Sequence, residues 1–207
     1  MKRGSIAVVA VAAACIAAPA VNAQTLEVTP HFGMHMPVGL LMEGRDLNDN
    51  SYARRRQLGA ISVGARLTLR ATEWLSIEGN GTYSPSLVAI TDRTRTVDLG
   101  GRVLMGNLKA MYRFAEIPSG WSFWGGAGGG VVSRHGEGWN GTAGTTDAAL
   151  VVAGKARLGK LNSNKAFILA IEDYVTRAAF QNLNASASPR IHHDVVYSFG
   201  MAIPLAK

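Results

Sequence analysis

The chain has little cysteine and no long apolar run beyond its N-terminal segment. Among its 207 residues Cys15 is the only cysteine, so no disulfide can form within the chain. A transmembrane helix needs about 20 consecutive apolar residues, and no stretch after the first two dozen residues approaches this length. If that part of the chain enters a membrane, it must therefore do so as strands.

Charge of either sign is also sparse. The 21 Lys and Arg residues stand against 14 Asp and Glu residues, and without Lys2 and Arg3 the balance is 19 against 14, a formal charge of +5. These charges are spread among short segments rather than clustered with aromatic residues, which excludes a nucleic-acid partner. A mildly basic surface of this kind fits contact with acidic lipid head groups.

The N-terminus has the three parts of a secretory signal peptide. Lys2 and Arg3 form a basic start, residues 6–18 are small or apolar, and Val21-Asn22-Ala23 has the small-x-small form of a cleavage site. We therefore predict that residues 1–23 are a cleaved signal peptide and that residues 24–207 form the mature domain. A membrane anchor helix is the competing interpretation, but the apolar run is short for it.

The mature chain alternates between apolar residues and polar or small residues with a period of two, as half-buried strands do. In the first segment, for example, Leu26 and Val28 fall on one face and Glu27 and Thr29 on the other. Eight segments follow this pattern, at residues 26–36, 61–70, 75–83, 97–114, 121–133, 147–159, 167–174 and 191–205.

The connections between these segments alternate in length. Short turns are predicted near Thr72, Pro118 and Asn162. Long polar loops are predicted over residues 37–57, 84–96, 134–146 and 177–190. This wiring predicts an all-β fold, a closed eight-stranded antiparallel up-and-down transmembrane β-barrel of the bacterial outer membrane, with its short turns in the periplasm. A soluble β-sandwich or lipocalin is the alternative, with the apolar faces turned inward.

Several features together resemble one family. The glycine-rich fifth strand, the runs at residues 154–159 (GKARLG) and 171–175 (IEDYV), and the closing strand from His192-His193 to Leu205 are similar to the small OmpA/OmpX-like outer-membrane β-barrel domain. The resemblance covers nearly all of the mature chain. It implies a role among those of the family, which includes anchors, adhesins, defence factors and lipid-modifying enzymes.

We expect a structural or surface-interaction role with a plugged lumen and no open pore, because side chains fill the interior of an eight-stranded barrel. The alternative is an enzyme that modifies lipid A or phospholipid at the membrane rim. His35 would then act as base with Ser84 or Ser86, and Asp92 would orient it. No residue is assigned as catalytic. No cofactor or metal is expected, since the adjacent His192 and His193 point to opposite faces of a strand, and both are expected at a solvated rim.

The polar faces carry charges that a closed barrel would turn into its lumen. Unpaired charges are costly in so narrow an interior, so we predict an ion-pair network there. Its members are Arg66, Glu78, Lys109, Lys155 and Glu172. Arg66 and Glu78 are expected to pair with each other because they flank the turn at Thr72 and face the same side of one hairpin. Nearer the periplasmic end, the inward charges are Glu27, Arg70, Arg113 and Arg157.

Basic residues are also concentrated in the predicted long loops. Arginine can bind phosphate through two parallel hydrogen bonds, so these residues are candidates for contact with lipopolysaccharide on the outer surface. The candidates are Arg54, Arg55, Arg56, Arg93, Arg95 and Arg134. The expected partners are therefore outer-membrane lipid and lipopolysaccharide, together with an extracellular ligand bound through the long loops.

Overall fold

A computed structural model describes residues 25–39, 42–45, 52–91, 96–139, 146–159, 165–178 and 190–206. The predicted signal peptide lies outside these ranges. The strands are β1 (Thr25–Val38), β2 (Met42–Arg45), β3 (Tyr52–Gln57), β4 (Ala60–Arg70), β5 (Leu75–Thr91), β6 (Thr96–Glu116), β7 (Trp121–His135), β8 (Thr146–Leu158), β9 (Ala166–Ala178) and β10 (Arg190–Ala206). No helix in the described part of the chain is long and apolar enough to cross a membrane.

Eight of the strands close into one antiparallel ring. Its order is β1, β4, β5, β6, β7, β8, β9 and β10, and β10 pairs back onto β1. Every member pairs with its two neighbours, so the ring has no free sheet edge, as a strand protein in hydrocarbon requires. The predicted closed eight-stranded antiparallel barrel is confirmed.

Several predicted loops are partly strand. Within residues 37–57, β2 and β3 form a hairpin, and β3 pairs with β5 above the end of β4. Residues 84–96 were predicted as a loop, but β5 and β6 stay paired from Ser84↔Val103 to Thr91↔Thr96. Apolar side chains continue to alternate here, and Val88 packs against Trp139 of a short 3-10 turn, Glu137–Trp139. The barrel wall therefore extends beyond the predicted span.

The outer face of the ring is apolar over the middle of the strands. Exposed side chains there include Phe32, Ile61, Leu108, Leu150 and Phe199. Aromatic residues gather near the short turns, where Trp74 contacts Tyr112 at 5.8 Å between ring centroids and Trp121 stacks on Phe123 at 6.4 Å. An apolar band with an aromatic girdle is typical of a lipid-facing barrel surface.

The short turns at this end are built from local hydrogen bonds. The Thr72 hydroxyl accepts a bond from the backbone N–H of Leu75 at 3.0 Å. In the next turn, Gly120 has a φ of +89°, in the left-handed region that favours glycine. Its N–H donates to the Ile117 carbonyl at 3.0 Å. These two turns hold β4 to β5 and β6 to β7.

Candidate functional site in the barrel lumen

Charged side chains fill the lumen in three layers along the barrel axis. The middle layer consists of Arg66, Glu78, Lys109, Lys155 and Glu172, which come from β4, β5, β6, β8 and β9. All five are buried inside the ring. The structure thus brings together the five residues that were predicted from strand alternation.

Glu172 is the centre of the middle layer. Its carboxylate accepts hydrogen bonds from Arg66 and Lys109, both at 2.8 Å. It also accepts bonds from Asn80 at 2.7 Å, and from Asn107 and the Tyr174 hydroxyl at 3.1 Å each. Five donors therefore surround one carboxylate, which explains how a charged group is held in the barrel interior.

Glu78 is the second acid of this layer and is paired with Lys155. Arg66 lies 3.5 Å from Glu78 without hydrogen-bond geometry, whereas its contact with Glu172 is shorter. The expected Arg66–Glu78 contact is therefore present but looser than the contact between Arg66 and Glu172. The reason lies in the register: Glu78 is directly opposite Thr68 rather than Arg66, so the two charges meet only diagonally.

The middle layer contains three cations and two carboxylates. The Lys155 ammonium lies 4.9 Å from the ring centroid of Trp124, which is itself buried. A cation over an aromatic face is stabilised by the ring quadrupole, so Trp124 partly compensates the excess positive charge. This role of Trp124 was not predicted from the sequence, although the alternation of β7 places Trp124 on the inward face with Ser122.

Glycines on β7 make room for these long side chains. Gly126, Gly128 and Gly130 lie on the inward face of that strand, and a Cβ atom at Gly128 would come within 2.1 Å of the Leu108 carbonyl oxygen and 2.5 Å of the Lys109 Cα. Strands β6 and β7 therefore approach more closely than a side chain at position 128 allows. The glycine run has a steric function here, as close backbone approach generally requires.

The lower layer, nearest the short turns, consists of Glu27, Arg70 and Arg157. Glu27 accepts hydrogen bonds from both arginines at 2.8 Å. Arg113, which was expected in this group, instead pairs with Glu116 and lies 3.9 Å from Glu73 at the end of the barrel with the short turns. Its strand has a register shift between Arg113 and Ala115, which displaces this end of β6.

The upper layer consists of His35, Arg134, Asp147, His192 and Asp194. Asp194 accepts a hydrogen bond from Arg134 and lies 2.8 Å from His35 Nε2 and 3.6 Å from His192 Nε2. Arg134 also donates to Asp147 at 2.9 Å. This layer was not predicted from the sequence, because Arg134 was expected in a loop and His35 at the rim.

Two predictions for the upper layer are therefore wrong. Arg134 is 3% exposed and bonded to two carboxylates inside the barrel, so it does not contact lipopolysaccharide outside. Strand β7 continues to His135, and its alternation turns Arg134 inward. His192 is likewise buried rather than a solvated rim residue, whereas His193 points outward, as alternation predicts.

The proposed catalytic group at the rim is not assembled. His35 is fully buried against Asp194, while the hydroxyls of Ser84 and Ser86 donate to the carbonyls of Ile61 and Leu58. Asp92 lies outside the described residues. On the outer face, Ser133 Oγ lies 2.8 Å from His135 Nε2. No carboxylate of the described chain is paired with that imidazole, so these residues form no complete triad.

Between the middle and upper layers, one wall of the lumen is apolar. Val103, Met105, Val132, Val151 and Val196 pack together on the inward faces of β6, β7, β8 and β10. The opposite wall carries polar residues, among which the His31 ring lies 2.9 Å from Asn80. Apolar packing beside the charges lowers the local dielectric and strengthens the ion pairs on either side.

The structure describes the side chain of only one of the remaining arginines that were predicted to bind lipopolysaccharide. Arg56 is exposed on β3. Arg54 and Arg55 lie on the same strand, but their side chains are outside the described part of the structure, as are Arg93 and Arg95 altogether. The structure thus leaves five of the six candidates untested and removes Arg134.

A closed ring of eight antiparallel strands, apolar outside and charged inside, is the fold of the small OmpA/OmpX-like outer-membrane β-barrel proteins. The chain is similar in structure to the outer membrane protein OprG from Pseudomonas aeruginosa, with a TM-score of 0.66 and 13% sequence identity over 89% of this chain and 97% of OprG. This likeness agrees with the predicted outer-membrane location.

Two structures of Ail, the attachment invasion locus protein of Yersinia pestis, match less well. Their TM-scores are 0.43 and 0.40, at 11% and 10% identity. The matches cover 87% and 86% of this chain, and 99% and 98% of the respective Ail chains. No family model and no curated protein matches the sequence.

Proposed function

We propose that this protein is an outer-membrane anchor with a plugged lumen, which displays its outer loops for structural or surface-interaction roles and does not conduct solutes. The observation that carries the proposal is that the ion pairs cross the lumen. Lys155 on β8 reaches Glu78 on β5, and Arg66 on β4 reaches Glu172 on β9. In each pair the two strands are three places apart in the ring of eight, so the contacts join nearly opposite walls.

Planar-bilayer recording tests the plug. The unmodified protein is expected to show a conductance near zero, because the layers occupy an interior that is only wide enough for side chains. Lys155→Ser with Glu78→Ser removes one crossing pair together, while Arg66 and Lys109 keep Glu172 as their partner, so brief openings are expected from this variant. The control is Arg113→Ser with Glu116→Ser, at the periplasmic end. Steady, large conductance from the unmodified protein would contradict the proposal.

The outer surface is the second part of the proposal. Arg56 is exposed on β3 and follows Arg54 and Arg55, so three basic residues are consecutive at the outer end of the barrel. We propose that this segment contacts lipopolysaccharide phosphates, since the binding of basic residues to an anionic membrane surface is worth about 1 kcal/mol per charge.

Neutralising the three arginines by Arg54→Ser, Arg55→Ser and Arg56→Ser is therefore expected to weaken lipopolysaccharide binding by about 3 kcal/mol at most. Titration of lipopolysaccharide at low salt, with the protein in detergent, measures the change. Arg113→Ser serves as the matched control because it removes a positive charge at the opposite end of the barrel. Equal affinity in the triple variant and the control would argue against the proposed contact.

A further inference from the structure

Asp173 and His193 are ionisable residues on the lipid-facing side of the barrel. On β9, Asp173 alternates with the inward Glu172 and Tyr174, and its opposite residues on the neighbouring strands are Val152 and Val195. Its carboxylate Oδ2 lies 2.8 Å from His193 Nδ1, and the two side chains are 33% and 42% exposed. The pair is thus set among valines on an otherwise apolar surface.

The position of Asp173 along the strand puts it within the hydrocarbon. It lies six residues beyond Phe167 and four residues before Arg177, both of which also point outward. At about 3.3 Å per residue and a strand tilt of about 40°, the carboxylate is about 15 Å above Phe167, inside an apolar band about 25 Å tall. Among the described outward positions between these levels of β9, Asp173 alone is charged.

The pairing with His193 does not fully satisfy this carboxylate. Its Oδ1 atom is shielded from solvent and has no hydrogen-bond partner. Acyl chains offer no donor at this depth, and lipid head groups lie above it. Ionisable residues at membrane depth generally pair with each other and face protein or a water-filled cavity, so an occupant with polar groups at this height would satisfy the carboxylate better than acyl chains do.

We infer that this face is the contact surface of a homodimer, in which the Asp173–His193 pairs of two copies meet. Two copies in one membrane hold these residues at the same depth, and a two-fold axis along the membrane normal brings Asp173 of each copy toward His193 of the other. The carboxylates and imidazoles of the two copies then form a self-complementary set of hydrogen-bonding groups, and side-chain hydrogen bonds across a contact shielded from water stabilise it.

The surrounding surface suits a second barrel. A groove of about 900 Å³ runs across the same outer face, and its lining includes Met34, Gly125, Gly154, Ile171, Tyr197 and Phe199. Gly125 and Gly154 present no side chains, so the groove floor lies close to the backbone of β7 and β8. Side chains of a second copy can therefore pack into it while the ionisable pairs meet beside it.

Cysteine cross-linking tests the geometry. With Cys15 replaced by serine, Val195→Cys introduces a single thiol on β10, opposite Asp173 and beside the two-fold axis, and Val63→Cys introduces one on β4, an outward position on a different wall. In membranes treated with a mild oxidant, Val195→Cys is expected to give a covalent dimer and Val63→Cys to remain monomeric. Equal cross-linking of the two variants, or none in either, would overturn the inference.

The second measurement separates a dimer contact from support of the barrel wall. Asp173→Asn is expected to raise the apparent dissociation constant of the dimer in vesicles about tenfold, a typical size for one polar contact. The unfolding midpoint of the monomer is not expected to fall, because a charge leaves the lipid-facing surface.

A lowered midpoint with unchanged dimerisation would show that the Asp173–His193 pair supports the barrel wall instead. If the wild-type protein is monomeric and the Asp173→Asn variant binds less lipopolysaccharide, the face binds lipid rather than a second copy. Either result would reject the dimer, and neither bears on conductance.

Discussion

Replacing Glu172 by glutamine is expected to lower the free energy of unfolding by about 3 to 5 kcal/mol, the range found when one member of a buried ion pair is removed. Arg66 and Lys109 both bond to this carboxylate at 2.8 Å. After the substitution, three buried cations face the single carboxylate of Glu78. Glutamine keeps the side-chain volume, so the loss reflects charge rather than a cavity.

Denaturant unfolding of the protein in detergent, followed by the gel shift between boiled and unboiled samples, measures this change. Glu116→Gln is the matched control, because Glu116 pairs with Arg113 at the end of the barrel with the short turns and its side chain is 54% exposed. Exposed ion pairs contribute about 0 to 1 kcal/mol, so the control should change little. Equal midpoints for Glu172→Gln and the wild type would show that the middle layer does not stabilise the barrel.

Substitution of Gly128 by alanine is expected to destabilise the barrel by about 3 kcal/mol or to prevent its closure, the upper end of the range for overpacking. The added Cβ would lie 2.1 Å from a backbone carbonyl oxygen of β6, which cannot move aside as a side chain end can. Relief requires β6 and β7 to separate, and this would also displace Lys109 from Glu172.

The adjacent residue provides the control. A Cβ at Gly129 would meet nothing within 4 Å, since that position faces outward. Gly129→Ala should therefore be neutral or stabilising by about 0.5 to 1 kcal/mol, because alanine loses less conformational freedom than glycine on folding. The fraction of folded barrel on unboiled gels compares the two variants. If both fold equally well, the close approach of β6 and β7 does not depend on glycine.

The barrel could be predicted from the chain because a wall with lipid on one side and a polar lumen on the other imposes alternation on every strand. Strand β4 shows this pattern. Ile61 and Val63 face outward, and Ser62 and Arg66 face inward. The same parity brought the five middle-layer residues to one face of the wall. Long and short connections then indicated the order of the strands, and the closed ring confirms it.

Partners across the lumen could not be predicted in the same way. Which charge meets which depends on register, strand tilt and the narrowness of the ring, and these arise only when all eight strands close together. Arg66 therefore bonds Glu172, 106 residues away, more closely than Glu78 in the adjacent strand. The upper layer was also not predicted. Strand β7 extends further than its glycine-rich composition indicates, and its alternation turns Arg134 toward Asp194. Alternation is a local property of each strand and could be read from the sequence, whereas contacts across the barrel are set by closure and appear only in three dimensions.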